Sequence, residues 1–518
     1  MTSLPRPLPW LEKAGDFANA ILVKETRQSL KSRQFIATFL LLLGGAWLVS
    51  VFFMLEVVET IETAPVGGRF FYAFFFVLLV AIFIVVPFGA FRSLLAEREQ
   101  NTFDVLSITT LSPGQIVRGK LLSAVVQMFL FYSAIAPFIA FASLLQGFDL
   151  PQVAFVLALA GFVSLGCAMF GLLLATLSTQ RHWQVLLSLF LLGALTCLLY
   201  GFYSDNMAGA FADAPLRERE FWWVVACFLV AWLTYFVLFF QLAVARLTFE
   251  ADNRSTGIRV TCSAQFWLLW GILWAICYFS PSPALPHMMN DFVMTGAFLS
   301  GLHWLIVGIP AATEGPRLSR RTRRRLPRNP LLRLVLAPLL PGGDRGLLYV
   351  LLHAGALVAI VRIFPHLLPS AASLAAPGSA FYPPPSYPGA TSVLYGGAVA
   401  AYLAIFVGIA ALFNHWGSKL WRQFRPSHAR LAGLLALLGG ILLPSLARLF
   451  LRYPHHEYQL IDVTNPYTTL GAIKADRLTT DAAIVVLLVA AGTVLLANLP
   501  GLLRGVAELF EEPHAKRS

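Results

Sequence analysis

Apolar runs long enough to cross a bilayer alternate along the chain with short polar or basic connections. About twelve such runs stand out, near 35–57, 69–91, 121–147, 151–178, 183–203 and 221–245, then 263–280, 289–312, 346–366, 391–413, 431–452 and 480–503. A hydrocarbon core about 30 Å thick takes roughly 20 helical residues to cross. Backbone groups cannot stay unpaired in lipid, so the runs predict helices and not open strands. The expected fold is an all-α integral membrane protein of about twelve transmembrane helices.

The polar positions give an orientation. Basic residues recur in alternate connections and at both termini: Lys13, Lys24, Arg27, Lys31 and Arg33, then Arg92, Arg98, Arg118 and Lys120, then Arg181, and Arg246, Arg254 and Arg259. Eight arginines and no acidic residue lie between Arg317 and Arg333, and Lys419, Arg422, Arg425, Arg430, Arg504, Lys516 and Arg517 complete the series. The opposite connections carry Glu56, Glu59, Glu62 and Asp149 and an uncharged Pro-rich stretch from Pro365 to Pro388, while those from Asp205 to Glu220 and from Arg452 to Asp481 are mixed. Excess Lys and Arg mark the cytoplasmic side, so both termini are expected there. Ahead of the first run, Ile21, Leu22 and Leu30 alternate with Lys24, Glu25, Arg27, Lys31 and Arg33 in an amphipathic pattern that suits a helix lying in the inner interface. The expected organisation is an interfacial segment 1–34, a six-helix bundle 35–250 with a cytoplasmic loop 92–120, two further helices within 251–312, an Arg-rich linker 313–345, and four helices and a short tail within 346–518.

Composition narrows the function classes. Of 518 residues, 58% are hydrophobic and 12% charged, against roughly 25% charged in soluble proteins. A soluble enzyme, a nucleic-acid binder and a disordered scaffold are thereby excluded, and a cell membrane is the expected location. The net charge of +12 reads as topology and attraction to anionic lipid. Cys167, Cys197, Cys227, Cys262 and Cys277 show no metal or redox spacing and read as buried, inert thiols.

The most patterned connection is RSLLAEREQNTFDVLSITTLSPGQIVRGKLL, from Arg92 to Leu122. Glu97, Arg98 and Glu99 form a charged cluster at its start, and Phe103, Val105, Leu106 and Ile108 put apolar side chains on a segment that should sit in water. Ser112-Pro113 has the chemistry of a helix start, and Gln115 can complete a capping box. An apolar patch flanked by charge is what docking to a soluble partner requires.

With Glu97, Glu99, Thr102 and Leu106, then Leu111-Ser112-Pro113 and Gly119-Lys120, this stretch resembles the corresponding loop of type-2 ATP-binding-cassette transporter permeases. The segment Val23–Phe35 is similar to that family's amphipathic entry helix, and the resemblance covers about residues 20–250. It implies a permease subunit, an exporter, whose loop couples to a separate cytoplasmic ATPase carrying the ATP and Mg2+. The coupling residues would be Glu97, Arg98, Glu99, Thr102, Phe103, Leu106, Ser112, Pro113, Gly119 and Lys120. A second permease copy or related subunit is the other implied partner. The family pattern has six spans where this chain has twelve, and no second Glu-rich loop motif follows. Whether 260–518 is a second permease half or an accessory bundle stays open.

Other features carry less. GQIVRGK, from Gly114 to Lys120, fits the start of a phosphate-binding loop, but Leu121 stands where Ser or Thr should hold magnesium. No ATPase motif, resident cofactor or metal site is expected. His455, His456, Glu457 and Asp462 read as a solvated loop, His303 as a core histidine, Gln127 and Gln241 as polar contacts between helices, and Arg362 and Arg448 as snorkelling side chains. The arginine-rich linker can touch anionic lipid or an acidic partner. The competing classes are a non-transporting membrane anchor and an ion-gradient-driven carrier, the latter needing ionisable partners deep in the membrane.

Overall fold

A computed structural model describes residues 20–57, 66–99, 112–145, 147, 149–177, 180–204, 216–249, 252–279, 285–315, 318–324, 326–367, 390–451, 458–475 and 481–510. Among them there is no strand, and twelve helices are long and apolar enough to cross a membrane. The chain is a multi-pass helical membrane protein. Large apolar side chains such as Leu41, Phe52, Phe129, Val224 and Phe450 stand exposed on its surface, as lipid-facing positions do and a soluble surface does not. The chain divides into two compact units, Met1–Thr248 and Phe249–Ser518.

The first unit opens with α1 (Ala20–Leu30) and α2 (Arg33–Val57). The second span is α3 (Gly67–Leu79), a π-helical stretch (Val80–Val85) and α4 (Val86–Glu99). Then come α5 (Pro113–Leu144), α6 (Leu150–Ala175), α7 (Arg181–Tyr203) and α8 (Arg219–Leu247). The second span runs on to Glu99, a turn or two beyond the apolar run, because Phe91 and Leu94 are still buried in the bundle.

The π-helical register decides which carbonyl Pro87 leaves without a donor. The Val86 N–H donates to Ala81 O, five residues back, and in that register Ile82 O would take its hydrogen bond from residue 87. Residue 87 is proline, which has none to give. Ser164 on α6 supplies the missing donor, its Oγ 2.6 Å from Ile82 O and fully buried. Close approach of α6 to its neighbours is also set by glycine. A Cβ on Gly171 would lie 2.9 Å from Pro87 O, and one on Gly166 2.7 Å from Trp232 Nε1 of α8.

The second unit has α9 (Thr256–Phe279), α10 (Leu285–Ala312), the short α11 (Arg320–Arg324) and α12 (Pro330–Leu336), and α13 (Gly343–Ile363). It continues with α14 (Ala390–Leu420), α15 (Pro426–Leu451), α16 (Pro466–Lys474) and α17 (Asp481–Ala507). The described part of the connection between α15 and α17 folds back along the bundle. Pro444 leaves Gly440 O without its helical donor; Thr464 Oγ1 takes that place at 3.1 Å, and Asn465 Nδ2 donates to Ile441 O at 3.2 Å. Asn465 Oδ1 meanwhile caps α16 by accepting from Tyr467 N. Arg448 does not snorkel free: its Nη2 lies 2.6 Å from Asp462 Oδ2, and Asp462 is fully buried.

Candidate functional site

The site is built around the start of α5. Ser112 and Gln115 form a reciprocal capping box, with Gln115 Oε1 accepting from Ser112 N at 2.8 Å and Ser112 Oγ from Gln115 N at 3.4 Å. Pro113, which has no N–H to leave orphaned, is the first helical residue. Two turns on, beside buried Gly119, Lys120 points inward and is 2% exposed. An ammonium group removed from water needs charged partners, and it has two. Lys120 Nζ lies 3.0 Å from Glu25 Oε1 of α1 and 3.1 Å from Glu97 Oε2 of α4. It also donates to the carbonyl and hydroxyl oxygens of Ser93. Lys24 Nζ closes the group at 3.2 Å from Glu97 Oε1.

Two lysines and two glutamates thus join three segments at one junction with no formal net charge. Arg27, Lys31 and Arg33 stay on the exposed side of α1 and of the start of α2. Beside the junction opens a cavity of about 290 Å³, with Gln28, Ser32, Arg92, Ser123 and Gln127 among its polar walls and Phe35 and Val85 among the apolar ones.

Glu97 and Lys120 were singled out in sequence as docking residues; the structure turns both inward, onto the chain's own α1. Arg98 and Glu99 close α4, and their side chains lie outside the described residues, as do Thr102, Phe103 and Leu106 altogether. Residues Gly114–Lys120 are helix, with Lys120 held by carboxylates, so they form no phosphate cradle.

A second charged junction, which the sequence reading missed, lies in the second unit. Arg259 is 2% exposed; it pairs with Glu314 at 2.9 Å and donates to the carbonyls of Pro338, Leu340 and Gly342. Arg345, 1% exposed, lies 2.9 Å from Glu508, which also accepts from Leu318 N and pairs with Arg323 at 3.0 Å. Part of the arginine-rich linker is therefore bonded to its own bundle: Arg333 adds a hydrogen bond to Leu509 O, and Arg321 an ion pair with Asp252. The available signal was glutamate just past one apolar run and arginine just ahead of another, which only the fold brings together.

The remaining candidates are quieter. His303 and His353 sit mid-span among the rings of Trp304 and Tyr349, and His353 Nδ1 bonds Tyr349 O. Gln127 lines the cavity. Among the described residues no group of three metal-ligating side chains occurs, and His455, His456 and Glu457 fall outside them. Cys262 and Cys277 are buried, but Cys197 is exposed on the bundle surface and Cys167 and Cys227 are half-buried, which corrects the expectation of five buried thiols. Compared with family models, with curated proteins and with solved structures, the chain matches none.

Proposed function

We propose that the chain is the permease subunit of an ATP-driven transporter, an exporter in a bacterial inner membrane, driven through the 92–120 loop by a separate cytoplasmic ATPase subunit that carries ATP and Mg2+. Both termini face the cytoplasm and α1 lies in the inner interface, on the basic asymmetry of the connections. The observation that carries the reading is the Lys120 junction. It fastens the helix that enters the loop, the helix that leaves it and the amphipathic helix at the chain's start into one lever, through contacts of 3.0–3.2 Å. A push on the loop between Glu99 and Ser112 is then shared by all three segments. Arg98, Glu99, Phe103 and Leu106 supply the docking surface, and the inward pair Glu97–Lys120 transmits its movement.

The gradient-driven alternative needs charged partners at mid-depth. Among the described spans, Asp, Glu, Lys and Arg gather toward the ends, and the mid-depth histidines have ring neighbours instead of carboxylates. The deciding experiment is purification in mild detergent from the native membrane, followed by an ATPase assay on the recovered complex. An ATP-hydrolysing subunit should come along. Glu99→Lys should abolish the dependence of its turnover on substrate while leaving membrane insertion intact; wild-type coupling in that variant refutes the assignment.

A further inference from the structure

The two units, each taken alone, are built on one plan. Either has six spans, and in either the fourth span (α6, α14) packs on the second, third, fifth and sixth. In both, the second span also packs on the first, third and fifth, and the third on the sixth. The fourth and sixth spans meet at a glycine of the fourth: a Cβ on Gly166 would lie 2.7 Å from Trp232, and one on Gly408 2.5 Å from Val494. The second and fourth also approach at a glycine, which is on the fourth span in one unit (Gly171 against Pro87) and on the second in the other (Gly301 against Val399).

The connections agree in part. Those after the second and fifth spans are long in both units, Glu99 to Pro113 and Tyr203 to Arg219 in the first, Ala312 to Gly343 and Leu451 to Asp481 in the second, whereas the one after the third span is short in the first unit and long in the second. Charge is buried at helix ends in both units but is paired differently: Glu97 of the second span is held by Lys120 of the third, whereas Glu314, just past the second span, is held by Arg259 of the first, and Arg345 of the third by Glu508, just past the sixth. Independent helical bundles have no physical reason to agree in which of their six spans packs on which. The Glu-rich loop pattern is not repeated, so what the units share is the plan of contacts and not the motif.

We propose that residues 249–518 are a second copy of the plan of residues 1–248, so that one chain supplies both halves of the permease and needs no second copy of itself. The duplication stands on the architecture alone, and the word permease rests on the function proposed above. Two differently tagged forms of the full chain, co-expressed and purified in mild detergent, test it by native mass spectrometry. Each tag should recover only its own form, one chain per particle; both tags in one particle overturn the proposal. An experimental map of the full chain gives the second readout. Its six spans between 256 and 507 should superpose in order on those between 33 and 247, and a different order overturns the proposal. A single-chain particle without an ATP-hydrolysing partner refutes the permease reading and leaves the duplication standing. A two-chain particle with such a partner does the reverse.

Discussion

Replacing Lys120 by methionine tests the junction most directly. The ammonium group stands 3.0 and 3.1 Å from two carboxylates whose side chains are each only 11% exposed. At an effective dielectric constant of about 20, a pair at that distance gains roughly 5 kcal/mol before desolvation is subtracted. Deleting one partner of a buried pair costs about 3–5 kcal/mol, because the other charge is left stranded. Glu97 keeps Lys24, whose side chain is 55% exposed, so the loss falls chiefly on Glu25. Lys120→Met should therefore destabilise the first unit by about 3 kcal/mol, which for a domain of this size is a fall of roughly 6–12 °C in unfolding midpoint. Thermal unfolding in detergent, followed by circular dichroism, reads the shift. Adding Glu25→Gln to Lys120→Met removes the stranded charge and should return at least half of it. A single variant within about 2 °C of wild type, or a double variant no better than the single, refutes the electrostatic account.

Two further perturbations probe the packing. Ser164→Ala removes the donor that completes Ile82 O and should cost about 1–2 kcal/mol in the same unfolding assay. In a Pro87→Ala background, where residue 87 regains an N–H, the Ser164→Ala cost should shrink; an unchanged cost refutes the reading that Ser164 replaces the donor Pro87 lacks. Gly346→Ala would drive a Cβ into Ala311 O, a backbone atom. It should destabilise the second unit by about 1–3 kcal/mol or more, read as lower yield and unfolding midpoint, and wild-type stability would show that α10 and α13 do not approach so closely.

How much of this could be read in the sequence depends on the range of the signal. A run of apolar residues reports its own burial in lipid, so the spans were legible one by one. The start of α5 was legible as well, because a capping box is settled within four residues, Ser112 to Gln115. Charge pairing is settled by the fold. Glu97 and Lys120 were placed in the right stretch of chain, yet their partner Glu25 lies 95 residues from Lys120 and belongs to a helix read only as a membrane-surface element. The same limit hid Arg345 and Glu508, which are 163 residues apart. The π-helical stretch escaped for a different reason: Pro87 was visible, but which helix would supply a hydroxyl to the freed carbonyl was not.

The buried charges themselves raise a last question. A buried ion pair is often no more stabilising than hydrophobic residues of the same volume, yet Glu25, Glu97 and Lys120 in one unit, and Arg259, Arg345 and Glu508 in the other, are all buried where helices meet. Stability alone does not account for that placement. Direction does, because a lysine between two carboxylates fixes the relative positions of α1, α4 and α5 more narrowly than apolar contact, which tolerates sliding. The triple variant Glu25→Gln, Glu97→Gln, Lys120→Met keeps the volumes and strands no charge, so its unfolding midpoint should lie within a few degrees of wild type. On the function proposed above, the ATP turnover of the proposed partner should, in contrast, no longer respond to transport substrate. Stability and coupling retained together would show that the junction holds the fold and transmits nothing.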